Sequence, residues 1–293
     1  MLGLCGIWGF QQVAMKAMAG AADPLLQVAV RSSGAAVLVW AYSRLWRRDR
    51  WVGGLALREG VVVGALFGVE YLFVGIGLRH IGSGLLSVLL YTAPIFVAVS
   101  LHLFLREERM SQRQWLGCAV SFAGVALVFL APGDAIAVPG ATAGLALFGA
   151  LCALLAGLFW GMTTVAVRLS RLSEAPFAQT LFYQLLGGAL CAWPVVLLGG
   201  HGRWEQSAAL WLLTFYQTVI VCFASYLVWF WLLQRYLASR MGVMSLLSPA
   251  IAVILGAILL SEPLTPGFLV AAAMIIAGLV IVMSRDRRTV RHT

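Results

Sequence analysis

Lys16, Arg31 and Glu70 are charged side chains set inside long apolar runs. A charge in a bilayer helix costs at least ~2.5 kcal/mol, so such residues stand where an ion pair, a substrate or a proton answers them. Counted at 1.5 Å per residue from the nearer ends of their runs, the three lie at depths of roughly 6, 10 and 12 Å. Similar depth allows one buried network in which Arg31 or Lys16 compensates Glu70. Two chemistries fit it: an ion pair that only locks three helices together, or a Glu70 carboxylate that contacts a substrate amine or a proton.

Uncharged polar residues recur at matching depths. Gln11 and Gln12 are followed 152 residues later by Thr163 and Thr164, and Glu70 is followed 156 residues later by Tyr226. These groups suit either a central cavity or interhelical hydrogen bonds, and adjacent Gln11 and Gln12 point about 100° apart, so only one is expected to face a cavity. Tyr71, Tyr91, Trp160, Tyr226 and Trp229 lie deep, where rings pack or form a wall for an apolar side chain. Trp46, Trp51, Trp115, Trp204 and Trp211 lie near the ends of runs and read as interface anchors. Gly117, Gly124, Gly157, Gly161, Gly187 and Gly188 sit in no phosphate-binding motif and read as close helix contacts.

The elements that position these residues follow from composition. Of 293 residues, 62% are hydrophobic and 11% charged; a soluble domain carries about 25% charged residues, so the chain belongs in a bilayer. Hydropathy, punctuated by Gly, Pro and charge, gives ten apolar stretches near 1–20, 25–45, 59–78, 81–105, 113–131, 143–168, 176–199, 208–234, 238–260 and 266–284. They do not alternate polar with apolar, so they read as helices and not barrel strands.

Orientation follows from arginine. Alternate joints and the C-terminal tail hold sixteen arginines, among them Arg44, Arg106, Arg168, Arg235 and Arg285, whereas the opposite joints hold Arg79 and Arg203. By the positive-inside rule both termini are cytoplasmic, in a multi-pass protein of the cytoplasmic membrane. Met18 to Ala22 faintly resembles a signal-peptidase site, but no basic segment precedes it.

The two halves match. Ile7-Trp8-Gly9-Phe10 with Gln11-Gln12 corresponds to Phe159-Trp160-Gly161-Met162 with Thr163-Thr164, and Pro24 corresponds to Pro176 at the same spacing. Pro94 followed by Glu107 corresponds to Pro249 followed by Glu262. Five spans per unit is an odd number, so the second copy is inverted in the membrane, as in secondary transporters with a site near the midplane. Pro94 and Pro249 each remove a backbone hydrogen bond in mid-span and are hinge candidates. The expected organisation is a first repeat at 1–131, a linker at 132–142, a second repeat at 143–284 and a basic tail at 285–293. The first, third, sixth and eighth spans are expected to line the cavity, the fourth and ninth to close it, and the fifth and tenth to lie peripherally.

The Trp-Gly pair opening each half, the proline in each fourth span and the glutamate after it (Glu107, Glu262) resemble the two EamA repeats of the drug/metabolite transporter superfamily. The resemblance covers nearly the whole chain, is nearest to the aromatic amino-acid exporter branch, and implies export of amino acids or related metabolites. Gln11-Gln12 departs from the smaller residues expected after Phe10. An organic-cation or multidrug exporter of the same fold stays open, because Glu70 suits a cationic drug as well as an amino group.

Other classes fit less well. No HExxH, GxSxG or paired intramembrane aspartate marks an enzyme, and no continuous polar stripe marks a channel. Cys5, Cys118, Cys152, Cys191 and Cys222 show no metal-ligand spacing, so neither metal nor cofactor is expected. The net charge of +9 resides in the joints and forms no nucleic-acid stripe. Expected partners are a small-molecule substrate and the lipid bilayer, with the protein a monomer or homodimer.

Overall fold

The computed structural model describes residues 1–104, 109–130, 138, 140–233 and 244–284. Arg106, Glu107, most of the 132–142 linker, Arg235, Arg240 and the tail 285–293 lie outside the described residues.

The described chain is helical. α1 (Leu2–Met18), α2 (Pro24–Ala41), α3 (Leu55–His80), α4 (Ser83–Leu90), α5 (Ala93–Phe104) and α6 (Gln112–Leu130) precede the linker. α7 (Ala143–Arg168), α8 (Phe177–Leu198), α9 (Ala208–Phe215), α10 (Tyr226–Leu233), α11 (Leu247–Leu260) and α12 (Pro266–Met283) follow it. π-helix extends α2 over Tyr42–Arg47 and joins α9 to α10 over Tyr216–Ser225. Counting these continuations and α4 with α5 as single segments, eight segments among the described residues are long and apolar enough to cross a membrane. α1, with 17 residues, and α11, with 14, are shorter.

Local sequence explains the helix starts. Asp23 accepts the Leu25 N–H (2.9 Å) ahead of Pro24, and Thr265 accepts the Phe268 N–H (3.3 Å) ahead of Pro266. Each puts a side-chain acceptor on an orphan N–H and a proline where no donor is needed. The predicted proline kinks take a different form. The fourth span breaks at Tyr91–Thr92, upstream of Pro94, which sits in the first turn of α5. Pro249 likewise lies in the first turn of α11, just after a turn at Leu246.

Small residues set the packing. On α3, Gly60, Gly64 and Gly68 present one face to Tyr183, Gly187 and Cys191 of α8, with backbone meeting backbone at Gly64 and Gly187. α6 and α12 pair through Gly117 against Gly278 and Gly124 against Ala271 and Ile275, with the Ser121 hydroxyl donating to Ile275 O at 3.0 Å. Close backbone approach lets dispersion and interhelical hydrogen bonds hold helices that lipid does not press together. Elsewhere α1 lies on α11, α7 on α4 and α5, α3 on α7 and α8, and α2 on α8 and the Tyr216–Ser225 segment. α6 and α12 are one another's principal neighbour.

Candidate functional site

Four segments meet at a buried polar group. Arg31 of α2 is 1% exposed; its Nη1 donates to Gln217 Oε1 at 2.9 Å, and its guanidinium lies 4.2 Å from the centre of the Tyr71 ring. Gln217 Nε2 donates to the Gln11 carbonyl at 2.7 Å. Gln11 Nε2 reaches Tyr71 OH at 3.3 Å, and Tyr71 OH pairs with Tyr226 OH at 2.8 Å. The circuit therefore ties α1, α2 and α3 to the π segment and the start of α10. A buried polar circuit of this kind fixes helix register as well as presenting polar groups.

The circuit leaves two atoms of charged groups without a hydrogen-bond partner. Glu70 is 4% exposed and its Oε2 has no hydrogen-bond partner; Arg31 Nε has none either. No ion pair joins Glu70 to Arg31 or Lys16 among the described residues. Arg31 lies within electrostatic range of Glu70 without ion-pair contact, and Lys16 stands apart from both. Arg31 turns to an amide and a ring, and Lys16 donates to the Leu78 carbonyl in a separate cavity toward the end of the bundle. Lys16 shares a helix face with Gln12 but lies one turn further along α1, level with Leu78 near the end of α3, so it differs from the other two in depth.

Aromatic pairs flank the polar group. Trp8 and Trp229 meet edge to face at 5.2 Å, and the Trp8 Nε1 donates to Ser225 Oγ at 3.0 Å. Tyr91, at the break between α4 and α5, meets Trp160 edge to face at 5.2 Å. Gln12 is buried with its Oε1 unpartnered, so both glutamines point inward although only Gln11 joins the circuit. Thr163 is buried and Thr164 exposed, and their hydroxyls donate to Phe159 O and Trp160 O of their own helix. Thr164 is thus placed away from the group. Gln217 and Ser225 were missing from the sequence expectation. Gln217 was visible as a lone amide in an apolar run, but it has no polar partner in the first half and the repeat comparison passed over it.

Across the halves, Glu262 ties the end of α11 to the start of α4. It accepts from Ser83 N (2.6 Å), Ser83 Oγ (2.8 Å) and Gly84 N (3.0 Å), and Ser261 adopts a left-handed φ of 53° where the chain turns. A carboxylate on orphan N–H groups at a positive helix end is a charge-assisted cap. Glu262→Gln is expected to lower stability by about 1–2 kcal/mol, read as a lower melting temperature, because the amide supplies one acceptor and no charge.

Lipid-length helices wrapped round buried, partly unsatisfied polar groups define a multi-pass membrane protein. Its family is that of transporters: the chain matches the EamA-like transporter family over residues 1–130 and 147–284 and belongs to it. It is 28% identical over 284 residues to the uncharacterized transporter YoaV of Bacillus subtilis (strain 168), covering 95% of this chain and 94% of that one. An uncharacterized transporter of Archaeoglobus fulgidus is 26% identical over 287 residues, covering 95% of each. A solved crystal structure, 20% identical, superposes with a TM-score of 0.62 over 96% of this chain and 95% of its own, which is a likeness of fold. These names carry no substrate, and the resemblance to the aromatic amino-acid exporter branch gains no support from them.

Proposed function

We propose that the protein is a secondary transporter that exports amino acids or related small zwitterions by alternating access to the polar group around Arg31 and Glu70. One observation carries the reading: a carboxylate and a guanidinium within electrostatic range of each other, each with an unpartnered atom, are buried without ion-pair contact. Unpaired buried charges are costly, and a ligand that brings both an ammonium and a carboxylate answers both at once. The rings of Trp8, Trp229, Tyr91 and Trp160 supply apolar surface for its side chain.

The packing supports a 5+5 inverted-repeat architecture with ten crossings, the halves running 1–131 and 143–284. α1 lies on α11 as α7 lies on α4 and α5, and α3 lies on α8 as the Tyr216–Ser225 segment lies on α2. Each pair exchanges first-half for second-half elements, as a two-fold relation between inverted halves requires.

Uptake into proteoliposomes, with an amino-acid panel beside organic cations, tests the substrate class. Saturable amino-acid uptake is expected; uptake of organic cations alone would replace this reading with the multidrug one. Topology is tested separately in a variant lacking the five native cysteines. A Cβ at Gly53 or Gly202 meets nothing within 4 Å, so Gly53→Cys and Gly202→Cys are tolerable. An impermeant maleimide is expected to reach position 202 from outside and position 53 from the cytoplasm. Labelling of both from one side would end the proposed orientation.

A further inference from the structure

The α1–α2 joint, the end of α3 and the segment after α8 border an open cavity of about 410 Å³ whose wall includes Lys16, Asp23, Leu78, Arg79, His201 and Arg203. It is distinct from the polar group described above. Lys16 lies one turn beyond Gln12 on α1 and Leu78 two turns beyond Tyr71 on α3, with the fully buried Met15 and Val74 at the intervening positions.

Its charges do not balance. Asp23 is already engaged, accepting from Leu25 N and from Arg79 Nη2 at 2.7 and 2.6 Å, with His201 Nδ1 3.7 Å away. Lys16 donates to the Leu78 carbonyl and meets no carboxylate at ion-pair distance among the described residues. Glu262 lies within electrostatic range of Lys16 but is engaged at Ser83 and Gly84. Arg203 donates to the Ala19 and Gly20 carbonyls, with the exposed Glu205 at 4.0 Å. Lys16, Arg79 and Arg203 therefore share a cavity wall with one carboxylate, and an ammonium with three protons has donors to spare.

The fold does not require the whole cluster. At the repeat spacings Lys16 corresponds to Arg168 and Arg79 to Arg235, whereas Asp23 corresponds to Ala175 and Arg203 to Trp51, and the joint between α7 and α8 reverses the chain with Ala175 in place. Asp23 and Arg203 are therefore additions to one half only.

We propose that this cavity is a second binding site, for a small carboxylate or similar oxyanion held by Lys16 with Arg79 and Arg203. Only the naming of one source rests on the transport reading: the anion is either the carboxylate of an outgoing substrate or a free anion of the medium. Cavity volume, surplus positive charge and a cation answered by a carbonyl alone are independent of that reading.

Melting of the full-length protein in nanodiscs, with acetate against the uncharged isostere acetamide at fixed ionic strength, tests the site. Acetate at ten times its dissociation constant is expected to raise the melting temperature by roughly 3 °C and acetamide to leave it unchanged. Lys16→Gln is expected to abolish the rise, and Arg203→Gln, at the exposed rim, to weaken it and to carry the test if Lys16→Gln does not fold. The same rise in Glu70→Gln protein assigns it to this cavity and not to the central group. In that background, a Lys16-dependent rise with amino acids identifies the outgoing substrate as the source, and one with acetate and phosphate alone identifies a free anion. No rise in the wild type, or an equal rise with and without Lys16 and Arg203, overturns the proposal. Wild-type transport by Glu70→Gln with the rise intact would sink the central-site reading and leave this one standing.

Discussion

Glu70→Gln is expected to lower transport roughly a hundredfold while the protein stays folded. A hydrogen bond to a charged group contributes about 1.5–3 kcal/mol, and each ~1.4 kcal/mol is a factor of ten. Glutamine keeps the volume and removes the charge that an ammonium or a proton requires. A purely structural Glu70 predicts the opposite pair of results, because stranding a buried cationic partner costs about 3–5 kcal/mol. The geometry speaks for the first pair, since Arg31 is hydrogen-bonded to Gln217 and packed on the Tyr71 ring, with Glu70 in electrostatic range but not in ion-pair contact. Transport and melting temperature measured on the same preparation decide it: normal transport with a large loss of stability would reject a substrate or proton role.

The largest effect on stability is expected at Gly187. A Cβ there falls within the van der Waals envelope of Gly64 O, C and Cα, which are backbone atoms with no side-chain end to swing aside. α3 and α8 would have to separate along their glycine face, and α3 carries Glu70 and Tyr71 less than two turns on. Gly187→Ala is expected to cost about 3 kcal/mol, the upper part of the usual range for overpacking, and larger residues to abolish the monodisperse folded protein on size exclusion. Gly188→Ala, whose Cβ meets Ser32 Oγ at 3.1 Å, is expected to be milder, and Gly202→Ala, which meets nothing, to be neutral. Equal melting temperatures for the three would refute the packing argument.

Much of the architecture was legible because lipid leaves little choice. Apolar runs must be helices, glycines in them mark close contacts, and a charge in mid-run marks a site or a lock. Arg31 and Glu70 follow from that rule, Gln11 and Tyr226 from the repeat spacing and Tyr71 from its depth, and the structure brings them to one polar group. What escaped was fine position on each helix: Thr164 faces an exposed side, and Lys16, one turn beyond Gln12, opens onto another cavity. The break at Tyr91–Thr92 was displaced from Pro94 because a proline is comfortable inside the first turn of a new helix and forces the interruption ahead of itself. The π-helix at Tyr216–Ser225 left no compositional mark, and with it Gln217 went unread.

That π-helix has a consequence for energy balance. In a carrier made of two interchangeable halves, the form open to one side is the image of the form open to the other, and their free energies are equal. The halves here are not interchangeable, because α3 runs as continuous α-helix from Leu55 to His80 while its second-half counterpart changes winding for ten residues at the polar group. On the alternating-access reading, the empty carrier therefore rests unevenly between its two orientations. A bias of about 1.4 kcal/mol already leaves ten molecules facing one way for each facing the other, so one helix sets the side on which the empty carrier waits, while the gradient alone sets the direction of net flux.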